Sequence, residues 1–377
     1  MSISGGEVGP SNESSLSSSV EPHLPEGYQF LCALDREGVF DVCLAKRLRD
    51  ETAVVIKSLS EPYLHDTHLK ETLEREALLL AHVAHPNLAR VLGLSRHGGH
   101  YALIVEYVEG ISLASLLEYA RAHHRRLPPR IAALIACDLL AGLAELHRVA
   151  ADEPDFLAEG VHRNVTPANV RISVRGEVKL GDPSVDRARI GRSVRALEAF
   201  RLRLPYMAPE EVRGEIVLPS SDAYSVAVLL YELLAGHRYL RADSDAKLRR
   251  LAESPEPYVS PLRDPNLSLD EVLMRALSVR PDDRFLSAEH FAEALDLATQ
   301  KLRGPARRRD LADLAAEAVR RRPESAAHRA ARRATSAANA ESESKVAARL
   351  GRPANLAILA IVLAFVLALA WIVAWFD

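Results

Sequence analysis

The side chains best suited to chemistry in this chain gather in one segment, His162-Arg163-Asn164-Val165-Thr166-Pro167-Ala168-Asn169. Asn164 is an uncharged amide and cannot act as a base at any physiological pH. Asn169, and Asp182 further along, offer the hard oxygen donors that magnesium requires. Upstream, the apolar run Ala53-Val54-Val55-Ile56 ends on Lys57, and Glu76 lies within the helical stretch Leu73 to Leu80. A lysine and a glutamate are ordinarily solvated surface charges, and these two gain a role only from the motifs in which they stand.

Taken in chain order, these segments resemble the motifs of eukaryotic-type protein kinases, in particular the bacterial serine/threonine class. His162 to Asn169 is similar to the catalytic loop H-R-D-x-x-x-x-N, and Ala53 to Lys57 to the third-strand signature V-A-I-K. Glu76, followed by His85-Pro86-Asn87-Leu88, matches the αC helix and its exit. Leu103 to Gly110 looks like the strand and hinge that hold adenine, Asp182-Pro183-Ser184 like D-F-G, and Ala208-Pro209-Glu210 matches A-P-E. Asp222 and Arg284 sit where the family buries a C-lobe aspartate and arginine. The resemblance covers about residues 28 to 298 and implies an α+β, bilobal fold with a β-rich N-lobe and a helical C-lobe. It further implies that Lys57 and Glu76 form the ion pair that aligns the phosphates of ATP, and that Asn169 and Asp182 bind Mg²⁺. Gly38, Val42, Val55 and the backbone of Glu106 and Val108 would line the nucleotide.

The same resemblance exposes departures. Asn164 stands where the family carries the aspartate that accepts the substrate's hydroxyl proton. Thr166 replaces a common lysine, although some bacterial relatives carry serine or threonine there. Arg203 replaces a threonine bonded to that aspartate, and Pro183-Ser184 replaces Phe-Gly, which restricts the backbone of Asp182. The phosphate lid needs glycines so that its backbone can close without a Cβ in the way. Only Gly38 survives, Phe40 to Ala45 is one residue short of the family pattern, and Asp35, Glu37 and Asp41 add repulsive charge. Val55 replaces the small alanine that touches adenine. Weak ATP binding is the expectation.

From Pro183 to Met207 the chain carries Arg187, Arg189, Arg192, Arg195, Arg201 and Arg203, with only Ser184 and Ser193 as aliphatic hydroxyls. In the family Arg163 receives a phosphate placed on this loop. A basic loop that stays unphosphorylated is expected here, suited to docking an acidic partner segment. Arg148 to Gly160 reads as an insertion of no evident function.

The elements around the core follow from composition. The net charge of −3 carries no nucleic-acid signature, and Cys32, Cys43 and Cys137 lack metal-site spacing. Residues 1–27, rich in Ser, Glu, Gly and Pro, are expected to be disordered and contain no signal peptide. Residues 299–354 read as a basic Ala/Arg-rich juxtamembrane tether, with 14 Lys or Arg against 6 Asp or Glu between 301 and 353. Within it Leu311, Leu314, Ala315, Ala318 and Val319 share one helical face, which suits either an anionic lipid surface or packing on the chain's own domain. Leu356 to Phe376 is 21 apolar residues without a charge or proline, enough for one transmembrane helix within the span 355–376. The basic residues precede it, so the positive-inside rule places the kinase-like domain in the cytoplasm, with no domain expected beyond the membrane.

The sequence thus predicts a membrane-anchored pseudokinase that acts as scaffold or allosteric partner with weak ATP and Mg²⁺ binding. Two alternatives stay open: a slow but active serine/threonine kinase, and a lipid-surface protein that has lost nucleotide binding altogether.

Overall fold

The computed structural model describes residues 24–37, 39–152, 160–181, 200–255, 260, 268–300 and 307–321. The N-terminal lobe is an antiparallel five-stranded sheet of order β1-β2-β3-β5-β4, from β1 (Tyr28–Glu37), β2 (Phe40–Arg47), β3 (Ala53–Leu59), β4 (Val91–His97) and β5 (His100–Glu106). Strand alternation gives each face its own cluster. Cys43, Ala45, Val54, Ile56, Ala102 and Ile104 fill one face, while Val42, Val55, Leu103 and Val105 belong to the other. On that second face lies α1 (Thr67–His82), started by Asp66, whose carboxylate accepts from the Leu69 N–H at 2.9 Å. Its buried stripe Leu69, Thr72, Leu73, Glu76 and Leu80 follows helical spacing, so Glu76 is carried inward with the leucines.

The C-terminal lobe is helical, as expected: α2 (Leu113–Ala122), α3 (Pro129–Asp152), α4 (Pro209–Arg213), α5 (Pro219–Ala235), α6 (Asp245–Glu253), α7 (Ser268–Ala276) and α8 (Ala288–Thr299). A small antiparallel sheet, β6 (Gly110–Ser112), β7 (Val170–Ser173) and β8 (Val178–Leu180), lies at the junction of the lobes. Helix α5 is mostly apolar and buried along nearly its whole length, its few polar side chains included, which makes it the axle of this lobe. The residues read as an insertion begin inside α3, which runs on to Asp152; Arg148 there binds Glu145 and Asp152 on its own helix.

The tether expectation for 299–354 requires a correction at its start. Arg308–Arg321 forms α9, which packs against β6, β7 and α2. Leu311, Ala315 and Ala318 are fully buried in the main core, so the apolar face is spent on the chain's own domain and not on lipid. Arg308 fastens the helix with two hydrogen bonds to Asp138 of α3, at 2.7 and 2.8 Å. Gly176 explains the close fit: it adopts φ +80°, and a Cβ there would lie 2.2 Å from the Arg308 carbonyl oxygen. Among the described residues no helix is long and apolar enough to cross a membrane. The 356–376 stretch lies outside the described residues, as do residues 1–23.

Candidate active site

The site forms where the second face of the N-terminal sheet meets the loop between α3 and β7. Val42 pairs with Lys57 across β2 and β3, and Val55 lies two residues from Lys57, so all three share one face. Leu103 and Val105, their partners on β5, continue it. Lys57 and Glu76 are both buried, each only 8% exposed, a state that long charged side chains rarely adopt without charged or polar company. Val42 is buried and Val55 partly so. Beyond Gly38, which lies outside the described residues, Val39 and Phe40 pack with Leu69 and Leu73 of α1, and the Val39 carbonyl accepts from Ser60 N–H at 2.9 Å. The segment next to the lid's surviving glycine is thus committed to the lobe's interior.

The loop 161–169 hangs from Asp222 at the start of α5. One carboxylate oxygen accepts the His162 N–H at 2.7 Å, the other the Arg163 N–H at 2.8 Å, and the His147 ring nitrogen Nε2 reaches the first at 2.8 Å. Burial alone would raise this carboxyl's pKa; the bonds from His147 and the His162 amide outweigh it and hold it below its ordinary value. Arg163 takes φ +56°, an uncommon left-handed conformation outside glycine, which the two amide bonds enforce. The His162 ring receives the Asn164 N–H on Nδ1 at 3.3 Å, so its Nε2 carries the proton and donates to the Gly181 carbonyl at 2.9 Å.

Asn164, half-buried, is therefore held at both ends: its N–H on His162, and its carbonyl accepting from Asn169 Nδ2 at 3.0 Å. Asn169 in turn accepts the Gly181 N–H on its carbonyl at 2.7 Å. A Cβ on Gly181 would fall 2.1 Å from Asn169 Oδ1, so glycine is required there and the amide oxygen borders the residue preceding Asp182. Asp182, Pro183, Ser184, Ser193 and Arg187 to Arg201 fall in or next to the undescribed stretch 182–199, and only Arg201 of these is described. Thr166 is buried, and Pro167 accepts the Ala114 N–H at 2.9 Å, tying the loop to α2. Oxygen donors on Asn169 and a buried lysine on the facing sheet fit a metal–nucleotide group in kind.

The hinge residues lie at the edge of this face. Glu106 closes β5, its carboxylate 2.7 Å from Lys179 Nζ, and Val108 is buried, its carbonyl 3.5 Å from Arg171 Nη2. Arg203 is brought to Glu211: Nη2 lies 2.5 Å from Oε1, with both side chains 11% exposed. Burial pushes the Glu211 carboxyl up to about 7, more than Arg203 and Arg163 pull it down. Sequence reading singled out Arg203 but missed Glu211, and no motif points to it. It also missed Glu232, a buried carboxylate bound by Tyr206 Oη at 2.6 Å and by Arg121. Among the described residues no cluster of three or more His, Cys, Asp or Glu could hold a metal.

Comparison with known proteins agrees with this architecture. The family model for the protein kinase domain matches residues 37–294. The tyrosine-protein kinase MasK of Myxococcus xanthus is 29% identical over 293 residues, spanning 76% of this chain and 45% of MasK. The serine/threonine-protein kinase PknL of Mycobacterium tuberculosis is 32% identical over 269 residues, 69% of this chain and 64% of PknL. A crystal structure of the Mycobacterium tuberculosis PknI kinase domain superposes with a TM-score of 0.54 at 25% identity, covering 73% of this chain and 96% of that domain. The match spans less than two thirds of MasK and of PknL.

Proposed function

Because the chain belongs to the protein kinase family, of the bacterial serine/threonine type, we propose that it is a pseudokinase of that family, a signalling scaffold or allosteric partner held at the cytoplasmic membrane. One observation carries this reading: the loop keeps its full hydrogen-bonded frame around Asp222, His162 and Asn169, while the residue at its centre, Asn164, cannot accept a proton. The lid's poverty in glycine supports weak nucleotide binding, since a backbone with Cβ atoms closes less well over phosphates. ATP with Mg²⁺ supplies the transferable phosphoryl group in this family. Lys57, Glu76, Asn169 and Asp182 are the residues that would hold it here, with the Glu106 and Val108 backbone at the adenine.

A slow, active kinase is the second reading, favoured by the burial of Lys57 and Glu76 on the site face. Phosphoryl transfer relies mainly on positioning and metal electrostatics, and loss of a general base costs ~10²–10⁴-fold, so a residual rate is physically allowed. Incorporation of ³²P by the purified protein, compared with a Lys57→Met/Asp182→Ala control, decides between the two. The basic stretch 183–207 would dock an acidic segment of a protein partner, and Leu356 to Phe376 would anchor the chain in one pass. Carbonate-washed membrane fractions test the anchor: recovery of the full chain in the soluble fraction refutes it.

A further inference from the structure

Residues 121–126, Arg-Ala-His-His-Arg-Arg, span the end of α2 and the turn towards α3, and every one of them is exposed. The turn is preformed. The N–H groups of His123, His124 and Arg125 bond to the carbonyls of Tyr119, Arg121 and Ala120, His124 takes φ +52°, and buried Leu127 anchors the far side. Arg125 reaches across to α9, where its Nη1 donates to Glu317 Oε2 at 2.8 Å, and Arg321 approaches the same carboxylate at 3.3 Å. This contact sets the turn beside the last turn of α9, whose Arg320 and Arg321 are exposed. Besides Arg121, four exposed arginines and two exposed histidines lie in the two segments that this contact joins, with Glu317 between Arg125 and Arg321. The other exposed carboxylates on these elements are set back: Glu118 one turn before Arg121, and Asp313 two turns before Arg320.

We infer that this basic face, made by His123, His124, Arg125, Arg126, Arg320 and Arg321, rests on the anionic headgroups of a bilayer. The inference rests on the membrane-anchored reading above but concerns a different part of the chain. The sequence leaves the face at Arg321, continues through Arg322, and reaches the apolar stretch beginning at Leu356 after 34 intervening residues. Whatever path those residues take, the end of α9 is the domain's attachment point on the anchor's side. The apolar side of α9 is buried against β6, β7 and α2, so the contact is one of charge with phosphate and not of insertion. Resting there, the domain would be oriented about the α2–α3 turn instead of tumbling on its anchor.

The test uses the full-length protein reconstituted into vesicles of phosphatidylcholine alone, or with ~30% phosphatidylglycerol, and follows amide hydrogen exchange. On anionic vesicles exchange of peptides covering 121–127 and 316–321 is expected to slow at least ~3-fold relative to neutral vesicles, and ~0.5 M NaCl should abolish the difference. Arg126→Glu/Arg320→Glu should abolish it at low salt, and Arg126→Ala/Arg320→Ala should weaken it, with the rest of the domain exchanging as in wild type. Equal exchange on the two lipids in a chain that resists carbonate on both overturns the basic face and leaves the anchor standing. A chain that carbonate strips from neutral vesicles, yet shows slowed exchange on anionic ones, refutes the anchor and upholds the face.

Discussion

Arg284 grips Glu210 through two parallel hydrogen bonds of 2.7 Å, with the side chains only 1% and 2% exposed. Ser221 donates to the same carboxylate at 2.6 Å, and the guanidinium also reaches the carbonyls of Ser278, Val279 and Ser220. Every polar valence of the pair is met inside the lobe, which is what makes two buried charges tolerable. The pair joins α4 to the loop between α7 and α8.

Removing one partner should be far worse than removing both. Arg284→Met is expected to lower unfolding stability by about 3–5 kcal/mol, because it strands a buried carboxylate, while Arg284→Met/Glu210→Met should regain much of that loss. Urea unfolding of the two variants measures the difference.

Helix α9 should behave as part of the folded domain. Leu311→Ala is expected to cost about 2–5 kcal/mol as a buried leucine truncation. A fragment of residues 24–300 should melt at a lower temperature than one of residues 24–321, because it exposes the surface that Leu311, Ala315 and Ala318 cover. Equal melting temperatures would show that α9 adds nothing.

Catalysis should not return by one change. Asn164→Asp is expected to restore little ³²P transfer, since Arg203 stays paired with Glu211 and the lid remains poor in glycine. A rate in that variant approaching ordinary kinase turnover, about 1–100 s⁻¹, would mean that Asn164 alone silences the site.

Nucleotide binding should be weak: roughly −5 to −6 kcal/mol for ATP, that is, high-micromolar affinity. Thermal stabilisation should therefore be visible at millimolar ATP, and Asp182→Ala should remove its dependence on Mg²⁺. Nanomolar binding, or no shift at all, contradicts the expectation in opposite directions.

The Glu211 carboxyl gives a pH signature. Its pKa is raised from an ordinary 4.5 to about 7, so the folded state holds the proton more tightly than the unfolded chain. Its stabilising contribution is complete below the unfolded value and is lost as the pH climbs through about 7. Melting temperatures recorded from pH 4.5 to 8 should fall less steeply for Glu211→Gln than for wild type; parallel profiles would reject the assignment.

The bilobal architecture was legible because its motifs bind structure and chemistry together. Lys57 ends an apolar strand and Glu76 falls in a leucine stripe, while Asp222, in the first turn of α5, was marked by the family resemblance. The Asn169–Gly181 contact was half-legible, since the glycine stands next to a motif residue but its reason is a tertiary clearance. Pairs such as Arg203–Glu211 and Arg308–Asp138 were not legible. Nothing in the residues around them names a partner, and only packing makes one. For helix α9 the sequence left two coverings open, because an amphipathic stripe states that a face is covered but not by what; the structure bears out packing on the chain's own domain.

Asp222 stores the shape of the catalytic loop at a distance from the residue that would use it. Asn164 is fixed through its own N–H and carbonyl, groups that every amino acid other than proline possesses. Codons for asparagine and aspartate differ by one base. An aspartate at position 164 would therefore be offered the same two backbone holds, so a one-base change meets a loop whose frame is already built.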